Sequence, residues 1–416
     1  MKIVIIGNDN RTTALARVLI YEGHFVIAVP GILNEVLPNL VSVPLKLRNE
    51  PLWAQIRRVD EIIEKVIDLK PDLVISLHVE SSEEGLIDEL KLISKKKGFL
   101  VFGITQNASR LETSKNYGIS VARQSNISIP DSSLLTTSTR QNWTEQQIKN
   151  QHKIVLKEDG LAGGRGTIIV PENTKLSSVL SELTADEDII LQEYIAGEEV
   201  AFSLLCRGRN IKLLNVNFEY KREFEGDVGS NTPGMGTVAK TGWLFNDVTH
   251  LLNGLPEILE EIGYNGPLDI NFIIDAEKKR LVFLEFTTRF GDPELSSEIL
   301  LLKDWSRLFI ENASNLPPDP AFNSLHWAVG VVVRGGRHSL QSSRLIGDRP
   351  LTHDLLQMPE GDESSFSTAG NSLKSSFNRL YKYLSSAIPE DSHYRTDIGH
   401  DTQLRLKALE IIIEER

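Results

Sequence analysis

The first hundred residues alternate short apolar runs with amphipathic stretches, and this alternation constrains the fold more than any other feature. Four runs are typical of buried strands: KIVIIG, HFVIAVP, PDLVISLH and GFLVFG. Between them, RTTALARVLIYEG and WAQIRRVDEIIEKVIDLK have helical spacing. The alternation predicts a parallel sheet covered by helices, with ligands bound at the carboxyl ends of the strands. The turn GNDNRTT has one glycine, so it is not a dinucleotide fingerprint.

Length and composition indicate a multidomain protein that binds small molecules. A chain of 416 residues is too long for one compact core. Its formal charge of −12 argues against a general nucleic-acid binder. The single cysteine, Cys206, excludes an internal disulfide framework and a cysteine-based zinc cluster. No run approaches the roughly eighteen apolar residues of a membrane span. We therefore expect a cytoplasmic monomer or homodimer without a membrane or nucleic-acid partner.

The middle and end of the chain change pattern. ASRLETSKNYGISVARQSN is predicted as one helix, and KIVLKEDG, GTIIVP and DIILQEYI as strands, with LSSVLSEL helical before the last. Four longer apolar runs then predict an antiparallel-rich sheet: EVAFSLLCRG, NIKLLNVNFEYK, PLDINFIID and RLVFLEFTTR. The Ser-rich patch at 364–376 is predicted as a surface turn, and SSFNRLYKYLSSAI as a helix.

A glycine-rich loop lies between two of these strands, in VLKEDGLAGGRGTIIV. Lys157 ends the first strand, and four glycines occupy seven positions after it: Gly160, Gly163, Gly164 and Gly166. Bare backbone amides in such a loop can approach an anion closely, and Lys157 and Arg165 add positive charge. The pattern favours a lid over a triphosphate. The alternative is a flexible hairpin, although a simple hairpin needs only two turn residues.

The stretch IILQEYIAGEEV is a strand that reaches an acidic turn. An extended backbone can hydrogen-bond an adenine edge, and a carboxylate a few residues later can reach the ribose hydroxyls. Glu199 is the candidate for that contact. The alternative is a solvated acidic pair, which is common on protein surfaces.

The stretch LVFLEFTTRFGDPE carries oxygen ligands to the end of a strand. Glu285 and Thr287 face one side, and Arg289 shares it if the strand continues. Asp269 and Asn271 share a face of the preceding strand. If the two strands are adjacent, their side-chain oxygens would lie at the same level of the sheet. Mg²⁺ prefers such ligands and bridges carboxylates to nucleotide phosphates, and Arg289 would balance the charge on a phosphoryl group in transfer. The alternative is a solvated strand end before a Gly-Asp-Pro turn.

Taken in this order, the motifs resemble the ATP-grasp superfamily and, more narrowly, phosphoribosylamine–glycine ligases. FGITQNASRLETSK resembles the segment before the first ATP lysine, here Lys115. LKEDGLAGGRG resembles the family loop, with Arg165 in place of its last lysine, and EFTTRFGDPE resembles the family's Glu-Phe-Asn-x-Arg-Phe-Gly-Asp-Pro-Glu. NTPGMG and YRTDIG are also similar to family segments. The resemblance runs nearly from end to end.

The resemblance implies a multidomain α/β protein with the ATP-grasp fold. The expected units are a Rossmann-like parallel-sheet domain at 1–102, a central ATP-grasp domain at 103–120 and 189–325, a lid subdomain at 121–188, and a C-terminal domain at 326–416. The implied cofactors are ATP and Mg²⁺ or Mn²⁺. The implied chemistry is attack of a carboxylate on the γ-phosphate, followed by capture of the acyl phosphate by an amine, and it needs no protein nucleophile.

The resemblance also implies roles for individual residues. Thr287 replaces the family's metal-binding asparagine, and Asn271 is either a compensating ligand or a strand residue that bonds its neighbours. Arg289 would lie near the carboxylate and γ-phosphate, and Asp292 would hold the amino group of the amino acid. The full implied sets are Lys115, Lys157, Gly163, Gly164, Arg165, Gly166, the backbone of Glu193 and Ile195, and Glu199 for ATP; Glu285, Thr287 and Asn271 for the metal; and Arg289 and Asp292 for catalysis.

The segments expected to hold the amine differ from those of the family. The family's first turn appears here as GNDNRTTALA, which keeps Arg11 but lacks the family's acid and histidine.

Three hypotheses about the function follow. The protein joins glycine to phosphoribosylamine; or it joins an amino acid to another amine, expected to be phosphorylated, in specialised or modified-nucleotide metabolism; or it binds nucleotide without turnover. His24 and His78 lie near predicted strand ends that face the acceptor side, where we expect ordinary polar roles.

Overall fold

The computed structural model describes most of the chain. The described residues are 1–7, 9–30, 40–42, 57–136, 153–161, 166–171, 179, 188–243, 245–335, 356–360, 363–388 and 391–415. Gly163, Gly164 and Arg165 of the glycine loop lie outside them, as does the helix predicted over LSSVLSEL apart from residue 179. Within these ranges, no helix has the length and apolar character needed to cross a membrane.

The first sheet is parallel, as the alternation predicts. Its strands are β1 (Lys2–Gly7), β2 (Phe25–Pro30), β3 (Leu40–Ser42), β4 (Leu73–Ser76) and β5 (Leu100–Phe102), in the order β3-β2-β1-β4-β5. The four predicted strands are confirmed, and β3 is an addition. The helices of this region are α1 (Asn10–Tyr21), α2 (Val59–Leu69), α3 (Val79–Glu83) and α4 (Leu86–Lys97).

The single helix predicted over residues 108–126 is wrong. Two helices, α5 (Gln106–Thr113) and α6 (Lys115–Gln124), meet at Ser114. Ser114 has an extended backbone with φ −130° and ψ 106°, and its hydroxyl accepts a hydrogen bond from the amide of Tyr117. A serine that satisfies an otherwise unpaired amide in this way starts a new helix. The break makes Lys115 the first residue of α6.

A four-stranded antiparallel sheet follows. It contains β6 (Ser132–Leu135), β7 (Ile154–Glu158), β8 (Thr167–Val170) and β9 (Ile189–Glu193), in the order β6-β9-β7-β8. β7 and β8 pair directly, with Lys157 opposite Thr167, and they flank the glycine loop. The predicted strand–loop–strand arrangement is therefore confirmed on both sides of the loop.

The central sheet has eight antiparallel strands in the order β14-β13-β10-β11-β12-β17-β19-β18. Their bounds are β10 (Glu198–Arg207), β11 (Asn210–Phe224), β12 (Val228–Lys240), β13 (Asn265–Asp275), β14 (Arg280–Thr287), β17 (Trp327–Arg334), β18 (Leu356–Glu360) and β19 (Glu363–Gly370); β15 (Leu302–Lys303) and β16 (Ala321–Phe322) form a separate pair. The helices here are α7 (Phe245–Val248), α8 (Leu255–Glu261), α9 (Glu294–Glu298), α10 (Trp305–Ala313), α11 (Leu373–Ala387) and α12 (Thr402–Glu414), with a 3₁₀ turn at Thr249–Leu251.

The Ser-rich patch is not a surface turn. Residues 364–370 form the buried part of β19, and α11 begins at Leu373. The hydroxyl of Ser296 on α9 lies 3.1 Å from that of Ser365 and 2.8 Å from that of Ser367. Paired hydroxyls can be buried at little cost, so serine is compatible with this inner strand.

The division into domains stays a prediction. In the structure, β17 and β19 extend the central sheet across the expected boundary at 325/326, and β9 completes the four-stranded sheet beyond residue 188.

A chain of aromatic rings fixes the first sheet against the loop that follows β14. The rings of Phe102 and Phe309 lie 4.7 Å apart between centroids, those of Trp305 and Phe309 5.8 Å, and those of Phe290 and Trp305 5.7 Å. All four side chains are almost fully buried. Each such pair contributes about 0.5–1.5 kcal/mol beyond its buried area. The Arg-Phe-Gly-Asp-Pro-Glu loop is therefore held on a packed support.

Candidate active site

The predicted metal ligands meet on two adjacent strands. Asn271 of β13 lies opposite Glu285 of β14, and Asp269 lies opposite Thr287. The Nδ2 of Asn271 donates a hydrogen bond to the Thr287 hydroxyl at 3.1 Å. The Oδ1 of Asn271 is buried and has no hydrogen-bond partner. This orphaned oxygen, beside a carboxylate and a hydroxyl, fits a hard divalent cation such as Mg²⁺.

Positive charge surrounds Glu285. Burial by itself would raise the pKa of this carboxyl, yet the pKa is lowered. The lowering comes from four cationic side chains, in decreasing order Lys221, Lys157, Lys115 and Arg289. This concentration of cations around one carboxylate suits a ligand that carries several negative charges.

Lys157 reaches from the four-stranded sheet to the central sheet. Its ammonium donates to the carbonyl of Leu284 at 3.1 Å, and the side chain is 5% exposed. Burial lowers the pKa of Lys157, although nearby Glu285 opposes this. The two sheets therefore meet at the strand that ends in the predicted metal site.

Lys115 approaches the start of the glycine loop. Its ammonium donates to the carbonyl of Gly160. The neighbouring Asp159 carboxylate accepts from the Ser114 hydroxyl at 3.2 Å and from the Asn116 amide at 3.3 Å. The far end of the loop lies close to its start, because the carbonyl of Gly166 accepts a hydrogen bond from the amide of Glu158. Both predicted ATP lysines are thus found where the glycine loop begins, Lys157 near the end of β7 and the Lys115 ammonium on Gly160.

Lys221 of β11 is a site residue that the sequence analysis missed. Its ammonium lies 2.7 Å from Glu219 and 3.2 Å from Glu199. Burial would lower the pKa of Lys221, but the charges of Glu199, Glu219 and Glu285 raise it well above its ordinary value. Lys221 is therefore a fixed cation beside Glu285. The available signal was the alternation of charge in FEYKREF within an apolar strand.

The adenine and ribose contacts stay predictions. Glu193 ends β9, where its amide donates to the carbonyl of Asp131 at 2.9 Å, and the side chain of Ile195 is buried in the connection to β10. Glu199, the predicted ribose ligand, pairs with Lys221 in the structure.

Glu112 holds the loop that carries Arg289, and the sequence analysis missed it as well. One oxygen of Glu112 accepts from the amide of Thr288 at 2.7 Å and from its hydroxyl at 2.9 Å. The other lies 3.1 Å from the guanidinium of Arg289. Since Glu112 belongs to α5, this contact joins the helix before Lys115 to the end of β14.

Asp292 lies at the junction with the first sheet. Burial and then the nearby Asp9 raise its pKa to about 6, although Arg11 and Arg289 oppose the shift. Arg11 pairs with Asp9 at 2.5 Å and donates to the carbonyl of Phe290 at 3.4 Å. The first turn of α1 is thus in contact with the Arg-Phe-Gly-Asp-Pro-Glu loop.

His78 also belongs to this junction, whereas His24 does not. The buried imidazole of His78 has one nitrogen 3.5 Å from Asp9 and the other 3.7 Å from Glu80. Burial would lower its pKa, but the two carboxylates raise it. His24 precedes β2 and lies 3.4 Å from the amino group of Met1. The prediction that His24 faces the acceptor side is wrong, because it stands at the amino end of a parallel strand.

Comparisons with known proteins agree with the geometry. The family model described as phosphoribosylglycinamide synthetase, ATP-grasp (A) domain, matches residues 113–295. A phosphoribosylamine–glycine ligase of Streptococcus pyogenes serotype M3 is 24% identical and covers 96% of this chain and 99% of that protein. One from Leifsonia xyli subsp. xyli is 27% identical and covers 71% of this chain and 69% of that protein.

A solved structure has the same fold. The crystal structure of phosphoribosylamine–glycine ligase from Thermotoga maritima superposes with a TM-score of 0.71 at 21% identity, over 96% of this chain and all of that one. The predicted fold class is confirmed. The sequence motifs, the cluster of cations around Glu285 and these comparisons lead to one conclusion: residues 113–295 form an ATP-grasp domain, in a chain that has the fold of a phosphoribosylamine–glycine ligase.

Proposed function

We propose that this protein is an ATP-dependent carboxylate–amine ligase that forms an amide and releases ADP and phosphate. Glycine and phosphoribosylamine are the first candidate substrates, because the curated relatives are named for them. The observation that carries the proposal is the convergence of four cationic side chains on Glu285 beside the orphaned oxygen of Asn271.

The nucleotide would lie between the four-stranded sheet and the central sheet. The Lys115 ammonium contacts Gly160 at the start of the glycine loop, and the Lys157 ammonium contacts Leu284 of β14, so the two would hold the phosphates between the sheets. Glu285 and Asn271, with Thr287, would hold Mg²⁺ or Mn²⁺, which when bound supplies charge neutralisation to the phosphates.

The reaction would proceed in two displacements. A carboxylate oxygen of the donor attacks the γ-phosphorus of ATP, the bond to the β-phosphate oxygen breaks, and ADP leaves. The amine nitrogen then attacks the acyl carbon, inorganic phosphate leaves, and the nitrogen loses a proton. Arg289 and Lys221 are the fixed cations that would balance the charge of the transferred group. Because no side chain forms a covalent bond, positioning accounts for most of the rate.

The acceptor amine would bind where the first sheet meets the central sheet. Arg11 and His78 lie there, next to the carboxyl ends of β1 and β4. Asp292, which would hold the amino group of the donor, lies near Arg11 at the same junction. One observation favours the alternative of a different amine. The carboxylate of Asp9 accepts from the amide and the hydroxyl of Thr12, both at 3.0 Å. The protein's own anion therefore occupies the start of α1, where a ligand phosphate commonly binds in such folds.

Release of ADP tests the proposal. The protein is mixed with ATP, Mg²⁺ and glycine, with and without phosphoribosylamine, and ADP is measured by a coupled assay. ADP that depends on both substrates supports the first candidate. ADP that appears only with another member of an amine panel supports the alternative. ATP binding without ADP release for any amine would refute a ligase function, although the retained cations and Glu285 argue against that result.

A further inference from the structure

The family-like segment NTPGMG of β12 has no role in the mechanism above, yet it lies beside a residue that does. In the β11–β12 pair, Tyr220 is opposite Gly236, whereas Arg222 is opposite Asn231. Between these pairs β12 therefore has four residues where β11 has only Lys221. Such a bulge aims a side chain away from the regular ladder, and bulges are common beside active sites. The bulge thus sets where the Lys221 side chain points.

Two contacts hold the bulge in place. The hydroxyl of Thr232 donates to the backbone carbonyl of Lys221 at 2.9 Å. Gly234 packs closely against the loop that follows β14, because a Cβ at this glycine would lie 2.6 Å from the side chain of Pro293. The bulge therefore joins the backbone of Lys221 to the Arg-Phe-Gly-Asp-Pro-Glu loop.

Glu219 holds the other end of Lys221. The Lys221 ammonium lies 2.7 Å from Glu219, whose side chain is 8% exposed. It also lies 3.2 Å from Glu199, but that side chain is 38% exposed, so solvent screens the pair. Glu219 is therefore the carboxylate that keeps the ammonium in position.

Stability alone does not account for Glu219. Burial raises the pKa of its carboxyl, and the charges of Glu199 and Glu285 add to the shift, although Lys221 opposes it. Among the described residues, the one ion pair of Glu219 is with Lys221. A buried carboxylate that faces two others is costly for the fold. Arrangements of this kind are found at functional sites, and this one holds an ammonium near Glu285.

We propose that Glu219 is a positioning residue that, together with the NTPGMG bulge, holds the Lys221 ammonium where the phosphoryl group is transferred. This inference rests on the proposed ligase function. Lys221 is the cation that acts most strongly on Glu285, so it lies close to the expected phosphates. A cation fixed there stabilises the charge of the transition state without having to move. Glu219 acts through Lys221 and not on the substrates.

Trapping with hydroxylamine measures the first displacement without knowledge of the acceptor. The hydroxylamine nitrogen attacks the acyl carbon of the acyl phosphate, phosphate leaves, and the hydroxamate that forms is measured by its colour with iron(III). The donor is glycine, or the standard amino acid that gives most hydroxamate with the wild type. The variants are Glu219→Gln, Lys221→Met and the two combined.

The matched control is Asp275→Asn, which also removes a buried carboxylate from the central sheet. Asp275 pairs with Arg280 at 3.0 Å, and the two side chains are 9% and 35% exposed. These values are close to the 8% and 27% of Glu219 and Lys221. Because Asp275 and Arg280 flank the turn between β13 and β14, away from the candidate site, the control should match the wild type.

Glu219→Gln should lower kcat by at least about tenfold and change the KM for ATP by less than about threefold, because the affected interaction is made in the transition state. Lys221→Met should lower kcat at least as much. The combined variant should be within about twofold of Lys221→Met, because Glu219 acts only through that lysine. A merely structural role of Glu219 would instead add its own loss to that of Lys221→Met.

Three results would overturn the inference and leave the ligase function intact. They are a kcat within about twofold of wild type for Glu219→Gln, the same for Lys221→Met, and additive losses in the combined variant. If Glu219→Gln fails to fold, Thr232→Val takes its place. That variant keeps the shape of the side chain but loses the bond to the Lys221 carbonyl, and its loss of kcat should likewise disappear when Lys221 is methionine. Absence of hydroxamate and of ADP with every donor would refute the proposed function, and this inference with it.

Discussion

The clearest test of the site's architecture is the substitution Glu112→Gln. Glutamine keeps the shape of the side chain and one carbonyl oxygen, so the two bonds from Thr288 can survive. The contact with Arg289, 3.1 Å in the native protein, is replaced by an amide NH₂ that faces a guanidinium. The substitution therefore removes one charged hydrogen bond and leaves the fold of the loop intact.

The magnitude follows from that single contact. A hydrogen bond to a charged group contributes about 1.5–3 kcal/mol. The side chain of Arg289 is 28% exposed, so solvent screening favours the lower end, about 1.5 kcal/mol. If Arg289 must be held in place for phosphoryl transfer, a loss of that size slows turnover by roughly tenfold. The KM for ATP should stay within twofold, because the two lysines beside the glycine loop are untouched.

Turnover is measured under saturating ATP by trapping the acyl phosphate with hydroxylamine, which gives a hydroxamate. Circular dichroism shows whether the variant is folded. The matched control is Glu415→Gln, which removes a surface pair with Lys279 at 2.6 Å where both side chains are more than half exposed. Such pairs contribute little, so the control should behave as wild type. A Glu112→Gln protein that keeps more than half of wild-type turnover would refute the view that Glu112 positions Arg289.

Three further predictions concern the nucleotide and the pH dependence. Glu285→Gln should lower Mg²⁺-dependent ADP release by at least about a hundredfold, and titration with Mg²⁺ should no longer reach saturation in the wild-type range. Lys157→Met should lower kcat/KM for ATP by about 10²-fold, while binding of the free donor, measured by calorimetry, stays the same. The raised pKa of Asp292, about 6 against an ordinary 3.8, means that this carboxyl is protonated below about pH 6. If it binds a cationic amine, kcat/KM for that substrate should fall as the pH falls through 6, and Asp292→Asn should flatten the profile. Since the folded state holds this proton more tightly, the stability that Asp292 contributes is lost as the pH rises from about 4 to 6.

The sequence predicts the strands of the first sheet well because each is a continuous buried run of apolar residues. β3 is missed because three residues are too few to show any periodicity. The break at Ser114 is missed because the apolar spacing continues across it and only a side-chain cap marks the new helix. β19 is missed for a different reason: its serines are buried by hydroxyl contacts with α9, and nothing local in the sequence reveals a partner so far along the chain.

Some residues of the candidate site can likewise be predicted from the sequence, and others cannot. Glu285, Thr287 and Asn271 could be grouped from strand alternation alone, because adjacent antiparallel strands place alternate residues on a shared face. Lys221 and Glu112 could not. Lys221 joins the site only because β11 lies beside β10, and Glu112 only because α5 packs against the end of β14. Both depend on contacts between distant segments, which local pattern does not contain.

Thr287 occupies the position of the family's metal-binding asparagine, and its contact with Asn271 changes what this exchange means. By itself, threonine in place of a metal-binding asparagine suggests a weakened site. In the fold, the side chain of Asn271 crosses from the next strand, donates its NH₂ to the Thr287 hydroxyl, and leaves its carbonyl oxygen unpaired. An amide oxygen is therefore still present beside Glu285, contributed by β13 and oriented by the threonine. In the proposed metal site the two residues would function as one unit, in which the Thr287 hydroxyl holds the Asn271 side chain and leaves its oxygen available to the metal.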